Sequence, residues 1–174
     1  MKLKSIILFI NLFAIASLAF PQTEMSIQKL PSVDLRTPDG KIFNTSSIHN
    51  DGKPIIISFW ATWCTNCIKE LNVISEEYEN WQKETGVKLI AISIDDVRNA
   101  AKVMPFANGK NWDYEILLDQ NKDLYRALGI TVVPTTFLLD GNGNIVWKHV
   151  EFKEGNETEL YKNLKKVSEG KTIE

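Results

Sequence analysis

Two strongly apolar runs in the first half of the chain predict buried strands. They span residues 55–60 and 87–94 and lack the alternation of a half-exposed strand. Between them, apolar residues recur at steps of three and four, at Ile68, Leu71, Ile74, Tyr78 and Trp81. That spacing predicts one face of a helix, which we expect to end near Thr85, with Gly86 as its C-terminal stop. A strand, a long helix and a second strand predict a parallel βαβ unit.

The rest of the pattern predicts shorter elements on either side of this unit. Turn residues between extended segments predict β-hairpins at residues 33–43 and 135–148. In chain order we further expect a short helical turn at 45–48, a helix at 97–107, an extended segment at 112–118, and helices at 121–128 and 157–168. Together they predict an α/β fold: a mixed sheet, parallel at its centre and antiparallel at one edge, with helices on both faces.

The start of the chain differs from the remainder. Two lysines precede an apolar stretch, and the small residues Ser17 and Ala19 follow at the −3 and −1 positions of a cleavage site after Ala19. This is the layout of a secretory signal peptide, so we expect a signal at residues 1–19, a polar linker at 20–29 and the folded domain at 30–174. The alternative is an uncleaved anchor helix, although the stretch is shorter than the ~20 residues that a span needs. We therefore expect export to the periplasm, or a tether to the cell envelope if the segment is retained.

Composition and charge limit the classes of partner. A chain of 174 residues that is 44% apolar and 24% charged is typical of one globular domain. Loss of Lys2 and Lys4 with the signal would leave 18 basic against 22 acidic side chains, a net charge of −4. A mildly acidic chain without a basic patch is not expected to bind nucleic acid, and we expect a monomer.

Both cysteines, Cys64 and Cys67, stand where the first apolar run gives way to the predicted helix. The first turn of a helix carries unpaired N–H groups and a partial positive charge, which favour a thiolate. Such a position can lower a cysteine pKa from ~8.5 to roughly 3.5–7.5. A structural disulfide over so short a loop would stabilise little. Zinc needs four ligands, typically two such pairs, and this chain has one pair and two histidines far from it in the sequence. The pair therefore predicts thiol–disulfide exchange, without a metal.

Two separated motifs strengthen that interpretation. The block Phe59-Trp60-Ala61-Thr62-Trp63-Cys64-x-x-Cys67 is followed much later by Val133-Pro134-Thr135-Thr136-Phe137 and then by the turn Asp140-Gly141-Asn142-Gly143. In these motifs and their order the sequence resembles the thioredoxin fold, and within it the TlpA/ResA-like family of exported thiol–disulfide oxidoreductases. The resemblance covers most of residues 30–168 and includes the N-terminal hairpin.

The resemblance implies roles for individual residues. Cys64 would be the attacking thiolate, Cys67 the resolving thiol, and Pro134 a cis-proline that faces the pair. A cis-proline there would present the backbone of Val133 to an extended client, which could pair with it as an added strand. Glu70 lies where this family often keeps a glutamate, and its carboxylate could accept or relay the proton of Cys67. The alternative for Glu70 is an exposed helix residue paired with a lysine.

Three further positions complete the expected site. We expect Trp63 and Thr135 to join Val133 in contacting the client. Ser58 stands where thioredoxin itself has a buried aspartate, and because a serine cannot take up a proton, Glu70 or water is left for that task.

These observations together predict a disulfide reductase of exported proteins. Its expected partners are disulfide-bearing client proteins, among them envelope proteins or apocytochromes, and a membrane thiol–disulfide electron donor. No cofactor is expected, because the electrons reside on the sulfurs. Two alternatives stay open: a disulfide oxidase or isomerase that uses the same residues, and a non-catalytic thioredoxin-fold adaptor or metal carrier.

Overall fold

The computed structural model describes residues 28–173. The predicted signal peptide and most of the predicted linker lie outside this range. Within it, eight strands form one sheet and four α-helices pack on it. Every helix in the described range is too short or too polar to span a bilayer.

The strands follow the chain as β1 (Gln28–Lys29), β2 (Asp34–Arg36), β3 (Ile42–Asn44), β4 (Ile55–Trp60), β5 (Lys88–Ser93), β6 (Glu115–Leu118), β7 (Thr135–Leu139) and β8 (Asn144–Val150). The α-helices are α1 (Thr65–Thr85), α2 (Val103–Gly109), α3 (Asp123–Ala127) and α4 (Asn156–Ser168), with short 3₁₀ turns at Thr45–Ser47 and Ala100–Lys102. In space the strand order is β1-β8-β7-β4-β5-β6-β2-β3.

The centre of the sheet is parallel, as the sequence predicts. Strand β4 pairs with β5, and β5 with β6, in parallel, whereas β7 joins the other side of β4 antiparallel. The prediction of a single antiparallel edge is wrong, because the β2–β3 hairpin extends the far edge through an antiparallel pairing of Arg36 with Leu118. The hydrophobic pattern predicts that a hairpin forms, but it does not specify the sheet edge that the hairpin joins.

The sheet also begins earlier than the predicted domain boundary. Gln28 and Lys29, placed in the linker by the sequence, pair with Ile145 and Asn144 of β8. Both side chains are exposed. A strand of two exposed residues has no alternation of apolar and polar positions, which explains why it has no signature in the sequence.

The helices follow the predicted periods with shifted ends. Helix α1 ends at Thr85, and Gly86 follows in the left-handed conformation with φ of 69°, as expected. The helix predicted at 97–107 instead begins at Val103 after a 3₁₀ turn and continues past Pro105. Pro105 lies in the first turn, where its missing N–H would have no helical partner, so the helix tolerates it.

Strand β4 positions the site because both of its faces are covered. Its six residues are all buried. Alternate side chains point to opposite faces: Ser58 lies towards α1, whereas Phe59 lies against Tyr125 of α3, with ring centroids 6.3 Å apart. Helices therefore cover both faces, as predicted, and residues 61–64 leave β4 at its carboxyl end, in the middle of the sheet.

Candidate active site

Cys64 is the N-cap residue of α1, and its backbone is extended with φ of −91°. Its sulfur accepts a hydrogen bond from the backbone N–H of Cys67 at 3.2 Å, and the two cysteines are joined as a disulfide. The two sulfurs differ in access, because Cys64 is 8% exposed and Cys67 is fully buried. An incoming disulfide can therefore reach Cys64 first.

The loop before β7 faces the cysteines. The Val133–Pro134 peptide bond is cis, as the resemblance implies. The carbonyl oxygen of Val133 lies 3.7 Å from the sulfur of Cys64. Val133 is half-buried and makes no backbone hydrogen bond to another described residue. Its main-chain donor and acceptor are thus free beside the reactive sulfur.

The two other residues expected to contact a client, Trp63 and Thr135, differ in exposure. Trp63 is 64% exposed next to Cys64, so its indole is available to a partner. Thr135 is buried, and its hydroxyl donates to the carbonyl oxygen of Val132 at 2.7 Å. The structure therefore does not bring the Thr135 side chain to the surface.

Glu70 lies in the interior, one helical turn after Cys67 and on the same buried face of α1. The hydroxyl of Thr136 lies 3.0 and 3.1 Å from its two carboxylate oxygens, and that of Ser58 donates to it at 3.2 Å. Thr136 and Ser58 are partners in the β4–β7 register and share one face of the sheet. The exposed, lysine-paired alternative for Glu70 is therefore wrong.

Burial raises the pKa of the Glu70 carboxyl to about 7. The hydroxyls of Thr136 and Ser58 favour the ionised form and partly oppose this effect. A carboxyl with a pKa near neutrality can gain and lose a proton under physiological conditions, which is what a general acid or base requires.

The chain matches the model of the AhpC/TSA family over residues 27–148, a range that includes both cysteines and the cis-proline loop. The chain belongs to the AhpC/TSA family. Among curated relatives, thiol-disulfide oxidoreductase ResA of Bacillus anthracis is 32% identical over 117 residues, which cover 67% of this chain and 65% of that protein. This family member thus matches slightly less than two thirds of the length of those relatives.

Solved structures confirm the thioredoxin fold of this AhpC/TSA protein. An uncharacterized thioredoxin-like protein from Porphyromonas gingivalis is 48% identical, covers 80% of this chain and 92% of its own, and superposes with a TM-score of 0.73. A thiol:disulfide interchange protein of the thioredoxin family from Chlorobium tepidum is 25% identical over 82% and 97% of the two chains, with a TM-score of 0.65. With the ResA relatives, they confirm the resemblance inferred from the motifs.

Sequence reasoning missed one acidic residue of the AhpC/TSA site. Asp95 is buried, and its carboxylate accepts hydrogen bonds from the backbone N–H and the hydroxyl of Thr62, at 2.8 and 2.7 Å, and from Ser93 at 2.8 Å. It thereby fixes the loop that leads from β4 to Cys64. Asp95 follows β5, the parallel neighbour of β4, and because the carboxyl ends of parallel strands adjoin, its position in the sequence could have suggested this contact.

Thr136 was the other missed residue. In the sequence it stands out only as part of the motif that follows Pro134, yet its hydroxyl hydrogen-bonds to the buried carboxyl of Glu70. Within residues 28–173, no group of three or more His, Cys, Asp or Glu side chains is placed to hold a metal ion. His49 donates from Nδ1 to the carbonyl oxygen of Ser47 at 2.8 Å, and His149 stacks on Trp147.

Proposed function

We propose that this protein is a thiol–disulfide oxidoreductase that reduces disulfides in client proteins. The observation that carries the proposal is the unequal access of two adjacent sulfurs: Cys64 reaches the surface at the start of α1, whereas Cys67 lies behind it. The named activity of the ResA relatives supports the same chemistry.

The reaction transfers two electrons from the reduced pair to the client. The thiolate of Cys64, favoured by the N-terminus of α1, attacks one sulfur of the client disulfide and forms a mixed disulfide. The first client thiolate leaves and takes a proton from water. Cys67 then loses its proton and attacks the sulfur of Cys64, which expels the second client thiolate and closes the Cys64–Cys67 disulfide.

Glu70 is the proposed acceptor of the Cys67 proton. It lies one turn along the same buried helix face, and its pKa of about 7 lets it be ionised and ready to accept at neutral pH. Ser58 cannot play this part, but its hydroxyl stabilises the carboxylate that does.

Client binding is assigned to the surface around Cys64. The free backbone groups of Val133 can pair with an extended client as an added strand. The exposed indole of Trp63 supplies an apolar contact on the same side. Thr135 is not assigned a client contact, since its side chain points inward and its main chain lies between β4 and β8.

We further propose that the protein works outside the cytoplasm, in the periplasm or at the envelope. The predicted signal peptide and the TlpA/ResA-like motifs support this location. In an oxidising compartment a reductase needs a source of electrons, so we assign it a membrane thiol–disulfide donor. Envelope proteins or apocytochromes are the proposed clients.

The decisive experiment traps the client. In the Cys67→Ala variant the mixed disulfide cannot resolve, so we expect a stable covalent complex that mass spectrometry can identify. Cys64→Ser is the matched control and should form no complex. Glu70→Gln should retain the first step and slow client release by at least about tenfold, since proton transfer of this kind contributes about 10²–10⁴-fold to rates. Equal trapping by Cys64→Ser would contradict the assignment.

The direction of electron flow needs its own measurement. A reductase should have a strongly negative reduction potential, whereas one above roughly −150 mV would place the protein with the oxidants. Faster refolding of a scrambled substrate than reduction of insulin would favour an isomerase. Stoichiometric binding of copper(I) or zinc without disulfide turnover would favour the carrier alternative.

A further inference from the structure

Three of the most exposed large apolar side chains in the described range lie at one end of the sheet. They are Val97, 68% exposed, and Trp63 and Ile42, each 64% exposed. Trp63 follows β4, Val97 follows β5, and Ile42 begins β3, opposite Arg36 at the end of β2. Because Arg36 in turn pairs with Leu118 at the carboxyl end of β6, all three positions border the edge of the sheet that carries Cys64.

The distances along this edge follow from strand spacing. Strands β4, β5, β6, β2 and β3 are consecutive neighbours, so the path from Trp63 to Ile42 crosses four spacings. At about 4.8 Å each this is roughly 19 Å, the length of about six residues of extended peptide. The strands that lead to Trp63 and Val97 are direct neighbours, and Asp95 ties the two following loops together by binding Thr62.

A groove runs between Val97 and Ile42. Leu35 and Leu118 lie in its floor and are themselves almost completely buried. Its polar lining holds the carboxylates of Asp34, Asp119 and Asp123 and the guanidinium of Arg36. Asp123 is paired with Arg126 at 2.6 Å, and the buried Asp119 accepts backbone N–H groups at the start of α3. Three carboxylates against the two guanidinium groups of Arg36 and Arg126 leave an excess of one negative charge beside the apolar ends, which complements an apolar and basic ligand.

The cis-proline loop lies on the opposite side of Cys64 from this groove. Strand β7, which follows Val133, neighbours β4 on one side, whereas β5 neighbours it on the other. A client chain that pairs with Val133, presents its sulfur to Cys64 and crosses the sheet in the direction of β5 would meet Val97 and then the groove. The groove and Val133 thus lie on either side of Cys64 at the same edge of the sheet.

We propose that the client strip, defined as Trp63, Val97, Ile42 and the acidic groove between the last two, binds an extended apolar and basic segment of the client beside its disulfide. This proposal rests on the proposed function and adds the class of substrate to it. Client choice is then made by residues within about six positions of the reacting cysteine.

The test compares three disulfides as substrates. Two are peptides of equal length, each with one cysteine joined through a disulfide to a chromophoric thiol. The six residues beside that cysteine are Leu and Lys in one peptide and Ser and Glu in the other. The third is a small aromatic disulfide without peptide. We expect the Leu/Lys peptide to have a kcat/KM at least about tenfold above that of the Ser/Glu peptide, with a preference that shrinks as salt screens the carboxylates.

Variants locate the preference on the strip. Val97→Ser and Ile42→Ser should each lower kcat/KM for the Leu/Lys peptide by about five- to tenfold and leave that for the small disulfide unchanged. Val146→Ser is the matched control, since Val146 is exposed on β8, away from this edge. Unchanged peptide kinetics, or an equal loss on the small disulfide, would overturn the client strip. Failure of the wild type to reduce any of the three would instead refute the proposed function.

A covalent complex gives a second readout. The Cys67→Ala variant joined to the Leu/Lys peptide should show shifted methyl resonances at Val97, Ile42 and Leu118. Shifts confined to Trp63 and Val133 would contradict the proposal. So would a dimer in sedimentation that dissociates in Val97→Ser, because the strip would then be an interface between two copies of the chain.

Discussion

Glu70 makes the stability of the protein depend on pH in a direction opposite to that of most carboxylates. Its folded-state pKa is about 7, against an ordinary value of 4.5. The folded state therefore holds a proton between these values that the unfolded chain has lost. The stabilising effect of protonated Glu70 is complete below about pH 4.5, declines as the pH rises, and is lost above about pH 7.

The magnitude follows from the shift. Each pKa unit corresponds to 1.36 kcal/mol, so a rise from 4.5 to about 7 is worth about 3 kcal/mol. Glu70 is 4% exposed, so solvent screening takes little from this figure. Few single groups change the free energy of unfolding as much, given that whole domains are stable by only about 5–15 kcal/mol.

The Glu70→Gln variant removes the titration and keeps the shape. Its amide can accept from one neighbouring hydroxyl and donate to the other, so we expect it to fold. The free energy of unfolding of the oxidised protein, measured with urea between pH 4 and pH 8, should fall for the wild type relative to the variant by about 3 kcal/mol in total. The change should occur between about pH 4.5 and 7, with a plateau on either side.

A control separates this effect from a general effect of helix charge. Glu76 is exposed on the same helix and makes no side-chain hydrogen bond to a described residue, so Glu76→Gln should follow the wild type. If the difference between wild type and Glu70→Gln stays constant over the whole pH range, the buried carboxyl has an ordinary pKa. The proton-acceptor role proposed for it would then lose its physical basis.

Two further predictions concern the loops that frame the sheet. A Cβ atom at Gly141 would lie 2.1 Å from the carbonyl oxygen of Gly52, so Gly141→Ala should lower the free energy of unfolding, measured with urea, by about 2–3 kcal/mol. Gly109→Ala is the control: no neighbouring atom lies within 4 Å of the added carbon, so this change should be neutral or stabilising. Asp95→Ala should destabilise by about 2–3 kcal/mol, because it leaves the partly buried donors of Thr62 and the buried hydroxyl of Ser93 without an acceptor. A loss below about 0.5 kcal/mol in the same assay would show that water replaces the carboxylate.

The features predicted correctly from the sequence are those encoded over short distances. The apolar run at β4 and the three-and-four spacing along α1 are local patterns, and the helix ends where Gly86 allows a left-handed residue. The proposed chemistry of the Cys-x-x-Cys pair depends on a further local feature, the junction between the end of β4 and the start of α1. For the same reason the sequence alone predicts that Cys64 and Cys67 lie at the start of α1.

The features that were missed depend on residues far apart in the chain. Glu70 and Thr136 are 66 positions apart, and Thr62 and Asp95 are 33 apart. A helical period shows that Glu70 lies on one face of α1 with Cys67, but not that a strand from the second half of the chain covers that face. The edge strand β1 was missed for a related reason, since its stability comes entirely from its pairing partner.

The source of the proposed proton acceptor, Glu70, shows how one site can be assembled from different parts of the fold. A single aspartate at position 58 of β4 would supply a carboxylate directly from the strand. Here Ser58 occupies that position, and the carboxylate comes from Glu70 on α1. A carboxyl on α1 moves with Cys67, because both belong to the same rigid helix, while the hydroxyls of Ser58 and Thr136 hold it from the sheet. The acid is therefore fixed relative to the resolving sulfur by the covalent chain and relative to the sheet by hydrogen bonds. Loss of either hydroxyl should disturb the pKa of Glu70 without moving the cysteines, so the proton transfer and the sulfur chemistry can be tuned separately in this family member.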